Sequence, residues 1–272
     1  MSSLANCVPT LLADPMGLDA VALDEAIGAS RDAGFDAIGL WAFHVQFGGD
    51  EAVRAVLDAG LPVATLDAAL SWVEGPSDAA HREIDGLLSL AERLGCAVVH
   101  ATTLGPVDDL GAARDGYASI AARADAAGVR LALEFLPWTG VPTLAVANQI
   151  AAHGGPAAGI LLDTWHWVRQ PGGPDLALLR SLPGERITSV QLSDAAPEPA
   201  TALEPEAMGA RLLPGDGIVD HGSLWEALDA IGASPVIAAE VMSSSLVASG
   251  PAAMADAVHR AARSVLPPDP AR

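Results

Sequence analysis

Seven times along the chain, a helical stretch of mixed polarity ends at a glycine and runs directly into a short apolar segment. The segments are Ala33 to Trp41, Ala59 to Leu66, Leu94 to Thr102, Ala127 to Phe135, Gly154 to Asp163, Gly184 to Leu192 and Gly232 to Val241. Glycine suits the left-handed position that follows a helix, and an unbroken apolar run after it predicts a strand covered on both faces. Most spacings are roughly 30 residues, the length of one strand-helix unit. LANCV (Leu4 to Val8) supplies an eighth strand, and Asp19, Asp50, Asp78 and Asp108 stand where helix N-caps are expected. Eight such units predict an α/β fold, a (β/α)8 TIM barrel. An open doubly wound sheet would carry a glycine-rich turn after its first strand, where this chain has VPTLLADPMG.

The 272 residues fit one such barrel, expected over residues 1–266 with 267–272 as a frayed tail. The segment from Leu192 to Asp220 is longer than the other connections and rich in proline and acidic residues. At the carboxyl end of a barrel strand such a loop builds or covers a site, and the alternative is a disordered insertion. No run is apolar for long enough to span a bilayer, and Met1 to Thr10 lacks the pattern of a secretory signal, so cytoplasmic residence is expected. Two cysteines, Cys7 and Cys96, cannot build a disulfide framework. A net charge of −20 disfavours nucleic acid and membrane partners and leaves a small molecule as the expected one, with room for a homo-oligomer. All 14 basic residues are arginine, so Schiff-base lysine, pyridoxal phosphate and P-loop chemistry are excluded. GxSxG, HExxH and CxxC motifs are absent.

In each of the last four predicted strands one polar residue closes an apolar run: Glu134 in LALEF, Asp163 in ILLD, Gln191 in SVQL and Glu240 in IAAE. Alternation puts them on the faces of Ala132, Leu161, Ser189 and Ala238 respectively. Three carboxylates converging on a dry barrel mouth repel one another unless a cation neutralises them. The expected cofactor is therefore one divalent metal ion on Glu134, Asp163, Gln191 and Glu240. Oxygen donors alone favour manganese or magnesium, Mn²⁺ or Mg²⁺, over zinc. Trp41, Trp72, Trp138, Trp165 and Trp167 all fall at or just after predicted strand ends, where they suggest aromatic walls for a substrate, with Trp138 the foremost. His44 and His100 also follow strands and can reach the mouth, whereas His81, His153, His221 and His259 are expected in solvent.

LEFLPW, LLDTWHW, VQLSDA, RLLPGDG and AAEV resemble the sugar isomerase/epimerase family with the xylose-isomerase-like barrel, and the layout matches over essentially the whole chain. The resemblance implies that Glu134, Asp163 and Glu240 bind metal while His166 and Arg211 contact substrate oxygens. Tagatose- and psicose-type epimerases commonly place a histidine where this chain has Gln191. Hydroxypyruvate isomerase and 3-dehydroshikimate dehydratase are similar in using glutamine. DTWH is also similar to endonuclease IV, but that enzyme needs further histidines for its metal cluster.

The function expected is isomerisation or epimerisation of a hydroxy-carbonyl compound, a keto-sugar or related polyol, through a metal-stabilised enediolate. Glu134 and Glu240 would act as acid and base with His166, and Arg211, Trp138, Trp165, His100 and Trp41 would bind substrate. The alternatives are a lyase that dehydrates a dehydroshikimate- or inosose-like compound at the same site, and a non-catalytic binding subunit.

Overall fold

In a computed structural model whose described residues are 3–267, the eight predicted strands are all present and all parallel. They are β1 Ala5–Cys7, β2 Ala37–Trp41, β3 Val63–Ala69, β4 Val98–Ala101, β5 Arg130–Glu134, β6 Ala158–Asp163, β7 Ile187–Leu192 and β8 Val236–Ala239. Each pairs with its neighbours in sequence, and β8 closes on β1 through Ala238 opposite Ala5, giving a closed barrel. The tail expected at 267–272 lies outside the described residues beyond Pro267. No described helix is long and apolar enough to cross a membrane.

The glycine punctuation has its expected cause at six of the seven segments. Gly34, Gly60, Gly95, Gly128, Gly155 and Gly232 all have positive φ, between 66° and 92°. Gly184 works differently: it opens the short turn Gly184–Arg186, where a side chain would meet the Ile231 carbonyl at 2.3 Å. The caps follow the same pattern with small shifts. Asp19 accepts from the Val21 and Ala22 amides, Asp109 rather than Asp108 caps Leu110–Ala126, and Ser77 rather than Asp78 caps Asp78–Leu94. Asp50 caps no helix start. The helix Ala42–Asp58 begins directly after β2 and breaks at Gly49 (φ 60°, ψ −143°), so Asp50 opens only its second limb.

Alternation along the strands sorts the side chains into two sets. Ile38, Leu40, Leu66, Val99, Leu131, Leu133, Ile160, Leu162 and Val190 point outward into the continuous core beneath the helices. The opposite set fills the barrel in two groups, Ala5, Ala37 and Ala238 against Ala64, and Val98, Ala132 and Leu161 against Val236. Small residues leave room, and Ala5, Ala37 and Ala64 line an outer cavity of about 1110 Å³ together with Trp225, Pro235 and Leu266. That cavity includes Ala5, Ala37 and Val236 at the amino ends of their strands, away from the predicted polar set.

Trp72 corrects one expectation. It belongs to the fully buried core rather than to the mouth: its ring meets Tyr117 edge-on at 5.5 Å and its indole donates to the Thr102 carbonyl at 2.9 Å. Trp167 is likewise packed in the main core. Gly116 lets the helix Leu110–Ala126 lie on the Trp72 backbone, because a Cβ there would fall 1.9 Å from the Trp72 carbonyl oxygen and 3.0 Å from Gly75 Cα. Gly116→Ala is expected to destabilise the protein by about 1–3 kcal/mol or more, the range for overpacking against atoms that cannot yield. Urea unfolding of the variant measures it.

Candidate metal and substrate site at the barrel mouth

Glu134 and Asp163 are the last residues of β5 and β6, Gln191 is the penultimate residue of β7, and Glu240 follows β8 directly. Strand register keeps them level: Asp163 pairs with Gln191, Gln191 pairs with Ala238, and the Glu240 amide donates to the Leu192 carbonyl at 2.9 Å. All four therefore stand at the carboxyl end of the barrel. Asp163, Gln191 and Glu240 are buried, and the Glu134 side chain is 13% exposed.

The long loop after β7 is built rather than disordered among its described residues. Asp194 and Leu212 exchange two backbone hydrogen bonds of 2.9 Å, and Leu203–Gly209 is helical. The Asp194 carboxylate collects the amides of Ala195, Gly215 and Val219, which folds the PGDG turn around it. This loop delivers Arg211 into the mouth, where 3% of it remains exposed. Its Nη1 donates to Asp163 Oδ2 at 2.7 Å and to Glu240 Oε2 at 3.2 Å, and its Nε donates to the Ala207 carbonyl. The guanidinium lies over the Trp165 ring at 5.7 Å, as does that of Arg169 at 5.8 Å. Arg169 in turn pairs with the buried Glu206 at 2.6 Å.

His166 sits on the first turn after β6, positioned by its own amide, which donates to Asp163 Oδ1 at 3.0 Å. Its Nε2 is 3.3 Å from Glu134 Oε1, and one ligand atom each from Glu134, Asp163 and His166 fall within 4.8 Å of one another. The arrangement departs in detail from the expected four-ligand set. Arg211 bridges Asp163 and Glu240, and the Gln191 amide nitrogen donates to Glu240 Oε1 at 3.1 Å. The Gln191 amide oxygen is left buried with no partner. A buried acceptor without a donor costs stability, and beside three carboxylates it is suited to a hard cation. The residues present therefore fit one divalent ion.

Charge crowding appears in the protonation of these groups. Burial raises Glu240 to about 8, with Arg211 opposing the rise and Asp163, Glu134 and Asp67 adding to it. Asp163 goes the other way: burial would raise it, but Arg211 and His166 outweigh that and lower it. Because Glu240 holds a proton more tightly folded than unfolded, its contribution to stability is complete below its ordinary 4.5 and is lost as pH rises through about 8. Chelator-treated protein should thus lose stability between those values. Manganese should restore more stability at pH ~8 than at pH ~6, because ligands must be deprotonated to bind it. Urea midpoints at the two pH values, with EDTA or with Mn²⁺, measure both effects.

The opposite wall of the mouth holds residues that sequence reasoning only partly found. His100 on β4 links two strands: its Nδ1 is 2.7 Å from Asp67 Oδ1 on β3, and its Nε2 is 3.0 Å from Ser189 Oγ on β7. Burial disfavours a proton on His100, but Asp67, with Glu134 and Glu240 behind it, raises its pKa on balance. Cys7 on β1 donates from Sγ to Glu240 Oε1 at 3.1 Å, and burial together with Glu240 keeps its thiol pKa well raised. Neither Asp67 nor Cys7 closes an apolar run in the manner of Glu134, so that signal could not find them.

The aromatic expectations divide. Trp138 and Trp41 are partly exposed. Trp138 lies 5.4 Å from His166, ring to ring, and Trp41 stacks with His44 at 6.0 Å. Trp165 is fully buried and touches Trp138, His166 and Arg211, so it backs the site from within. His44 is tied to the Pro15 carbonyl at 2.9 Å. His221 was expected in solvent but is 6% exposed, and burial lowers its pKa.

The sequence profile of the family described as the xylose isomerase-like TIM barrel matches residues 27–264. The chain belongs to that family. No curated protein matches the sequence. Among solved structures, a xylose isomerase-like TIM barrel/4-hydroxyphenylpyruvate dioxygenase fusion protein superposes with a TM-score of 0.81 at 20% identity over 96% of this chain. The chain spans 42% of that fusion protein's length. The IolI protein with a bound zinc atom gives 0.78 at 19% identity, covering 97% of this chain and 98% of the other. D-allulose 3-epimerase from Methylomonas sp., in complex with D-allulose, gives 0.71 at 18% identity, covering 97% and 96%. At these identities the likenesses establish the fold.

Proposed function

We propose that this protein is a divalent-metal-dependent isomerase or epimerase acting on a hydroxy-carbonyl compound. The observation that carries the reading is the convergence of Glu134, Asp163, Glu240 and the unpartnered Gln191 oxygen on one end of the barrel, flanked by His166 and Arg211. Glu134, Asp163, Gln191 and Glu240 would hold one Mn²⁺ or Mg²⁺, with His166 close enough to join or to orient a ligand. When bound, the ion supplies positive charge that polarises a carbonyl oxygen and acidifies the neighbouring carbon.

The protein's own groups do the rest. Glu134, the most open of the carboxylates, would take a proton from one face of the carbon beside the carbonyl. Glu240, held deep in the mouth, would keep or return a proton at its carboxylate oxygens from the other face. Arg211 spans Asp163 and Glu240 and would fix both carboxylates while presenting N–H groups to substrate oxygens. Trp138 would cover an apolar sugar face and shield the proton transfer from water. Trp165 would hold Arg211 in place from behind.

The test is incubation of the metal-loaded protein with keto-sugars, inososes and dehydroshikimate in D₂O, followed by mass spectrometry and NMR. Deuterium gain at the carbon beside the carbonyl, with a new isomer or epimer, is the result expected. Loss of one water would assign the protein to the lyases. Absence of both turnover and exchange with every compound would leave a binding protein.

A further inference from the structure

The seam where the barrel closes carries a contact that the mechanism proposed above does not use. Ala5 and Asn6 on β1 pair with Ala238 and Ala239 on β8, so the next residues, Cys7 and Glu240, come level at the carboxyl end. Side chains alternate along a strand, and Cys7 therefore shares the inward face of Ala5. The side chain is buried, and its Sγ lies 3.1 Å from Glu240 Oε1. The backbone is pinned at this point. Thr10 Oγ1 donates to the Cys7 carbonyl at 2.7 Å, and Cys7 pairs with Gly39, where a Cβ would meet Thr65 Oγ1 at 2.6 Å.

The donors around Glu240 show what the thiol does there. An ionised carboxylate only accepts, at about four positions shared equally by its oxygens, so Cys7 is the donor of the pair. Oε1 accepts from Cys7 Sγ and from Gln191 Nε2, both at 3.1 Å, and is thereby filled. Oε2 accepts from Arg211 Nη1 at 3.2 Å and keeps a position free among the described residues. The two donors on Oε1 come from β1 and β7, the strands on either side of β8, and together they oppose rotation of the carboxylate. Oε1 stays an acceptor in either protonation state, which leaves Oε2 as the oxygen that takes or gives a proton.

We infer that Cys7 is a positioning residue for Glu240: with Gln191 it fixes Oε1 as an acceptor and reserves Oε2 for the proton that Glu240 handles. This rests on the acid-base reading of Glu240 given above and deepens it. Cys7 touches no substrate atom in this account and acts only through the carboxylate. A thiol suits the place because it packs as a small apolar group in the buried seam and still carries one weak donor. Alanine removes that donor, and serine returns one.

The experiment has two arms, both on the full chain. The first reads the S–H stretching bands by infrared spectroscopy at alkaline pH, with and without Mn²⁺. Cys96 provides the internal comparison, since it donates to the neutral Val98 carbonyl at 3.2 Å. The Cys7 band, assigned by its loss in Cys7→Ala, is expected at lower frequency than the Cys96 band, because a charged acceptor makes the stronger bond. Glu240→Gln should move it up toward the Cys96 band. The second arm measures kcat and KM of the Mn²⁺-loaded wild type, Cys7→Ala and Cys7→Ser with D-allulose, an inosose and 3-dehydroshikimate. Cys7→Ala is expected to lower kcat about 3- to 10-fold, the scale of one modest hydrogen bond, with KM nearly unchanged. Cys7→Ser should recover most of the loss, and melting curves with metal content report whether each barrel is intact. A Cys7 band no lower than that of Cys96, or one unmoved by Glu240→Gln, would overturn the proposal. So would a wild-type kcat in Cys7→Ala, or a Cys7→Ser variant no better than Cys7→Ala. A displaced Cys7 band in a protein that turns over none of the probes would sink the isomerase reading and leave the grip on Glu240 standing. Turnover with an undisplaced band would do the reverse.

Discussion

Glu134→Gln and Glu240→Gln are each expected to lower net turnover by at least ~10²-fold, the usual scale for a general acid or base. The amide keeps an oxygen donor but cannot take a proton. With one base on each face of the substrate carbon, the two variants should fail differently. One should still exchange a substrate proton with D₂O from its intact face although it no longer completes the reaction. A one-base lyase would instead lose exchange in only one of the two. An amide binds a cation more weakly than a carboxylate, so metal content is measured on each variant before its rate. If both variants hold metal fully and turn over like the wild type, the assignment of these glutamates as acid and base is wrong.

Arg211→Met is expected to cost the metal-free protein about 3–5 kcal/mol, the range for removing one partner of a buried ion pair. Arg211 is 3% exposed and bridges Asp163 and Glu240, so its loss strands two carboxylates that form no other ion pair among the described residues. Methionine preserves much of the packing on Trp165, which separates the charge effect from a cavity. Added Mn²⁺ should recover much of the lost stability in the variant, because the ion neutralises the same two carboxylates. Urea unfolding with EDTA and with Mn²⁺ reads both halves. A variant that is as stable as the wild type without metal would show that Arg211 does not carry the charge balance of the mouth.

The barrel was legible because its units are regular. Glycine after each helix and an unbroken apolar run after each glycine are local signals with local causes, and six positive-φ glycines bear them out. The strand-terminal polar residues were equally plain, since Glu134, Asp163, Gln191 and Glu240 each interrupt an apolar run at the same place in the unit. Asp67 was hidden for a physical reason. The pairing of β2 with β3 shifts register between Ile38 and Gly39, and that of β3 with β4 shifts again between Leu66 and Ala69. Counting along VATLDAA therefore does not say which residue ends on the inner face beside His100. Trp72 misled because a position after a strand does not fix where the side chain turns, and here it turns into the core. Arg211 was found as a loop residue near the site, but its partners depend on how Asp194 folds the loop around itself, a tertiary event with no trace in local pattern.

The most direct test of the account is the metal itself. Protein stripped with chelator and titrated with Mn²⁺ or Mg²⁺ in a calorimeter should bind one ion per chain. Asp163→Ala should bind it more than roughly tenfold more weakly, because affinity at oxygen sites follows the charge of the ligand set. Gln191→Leu should weaken it as well. No binding by the wild type, binding unchanged by Asp163→Ala, or stoichiometric zinc that manganese cannot replace would contradict an oxygen-donor site for a hard divalent ion.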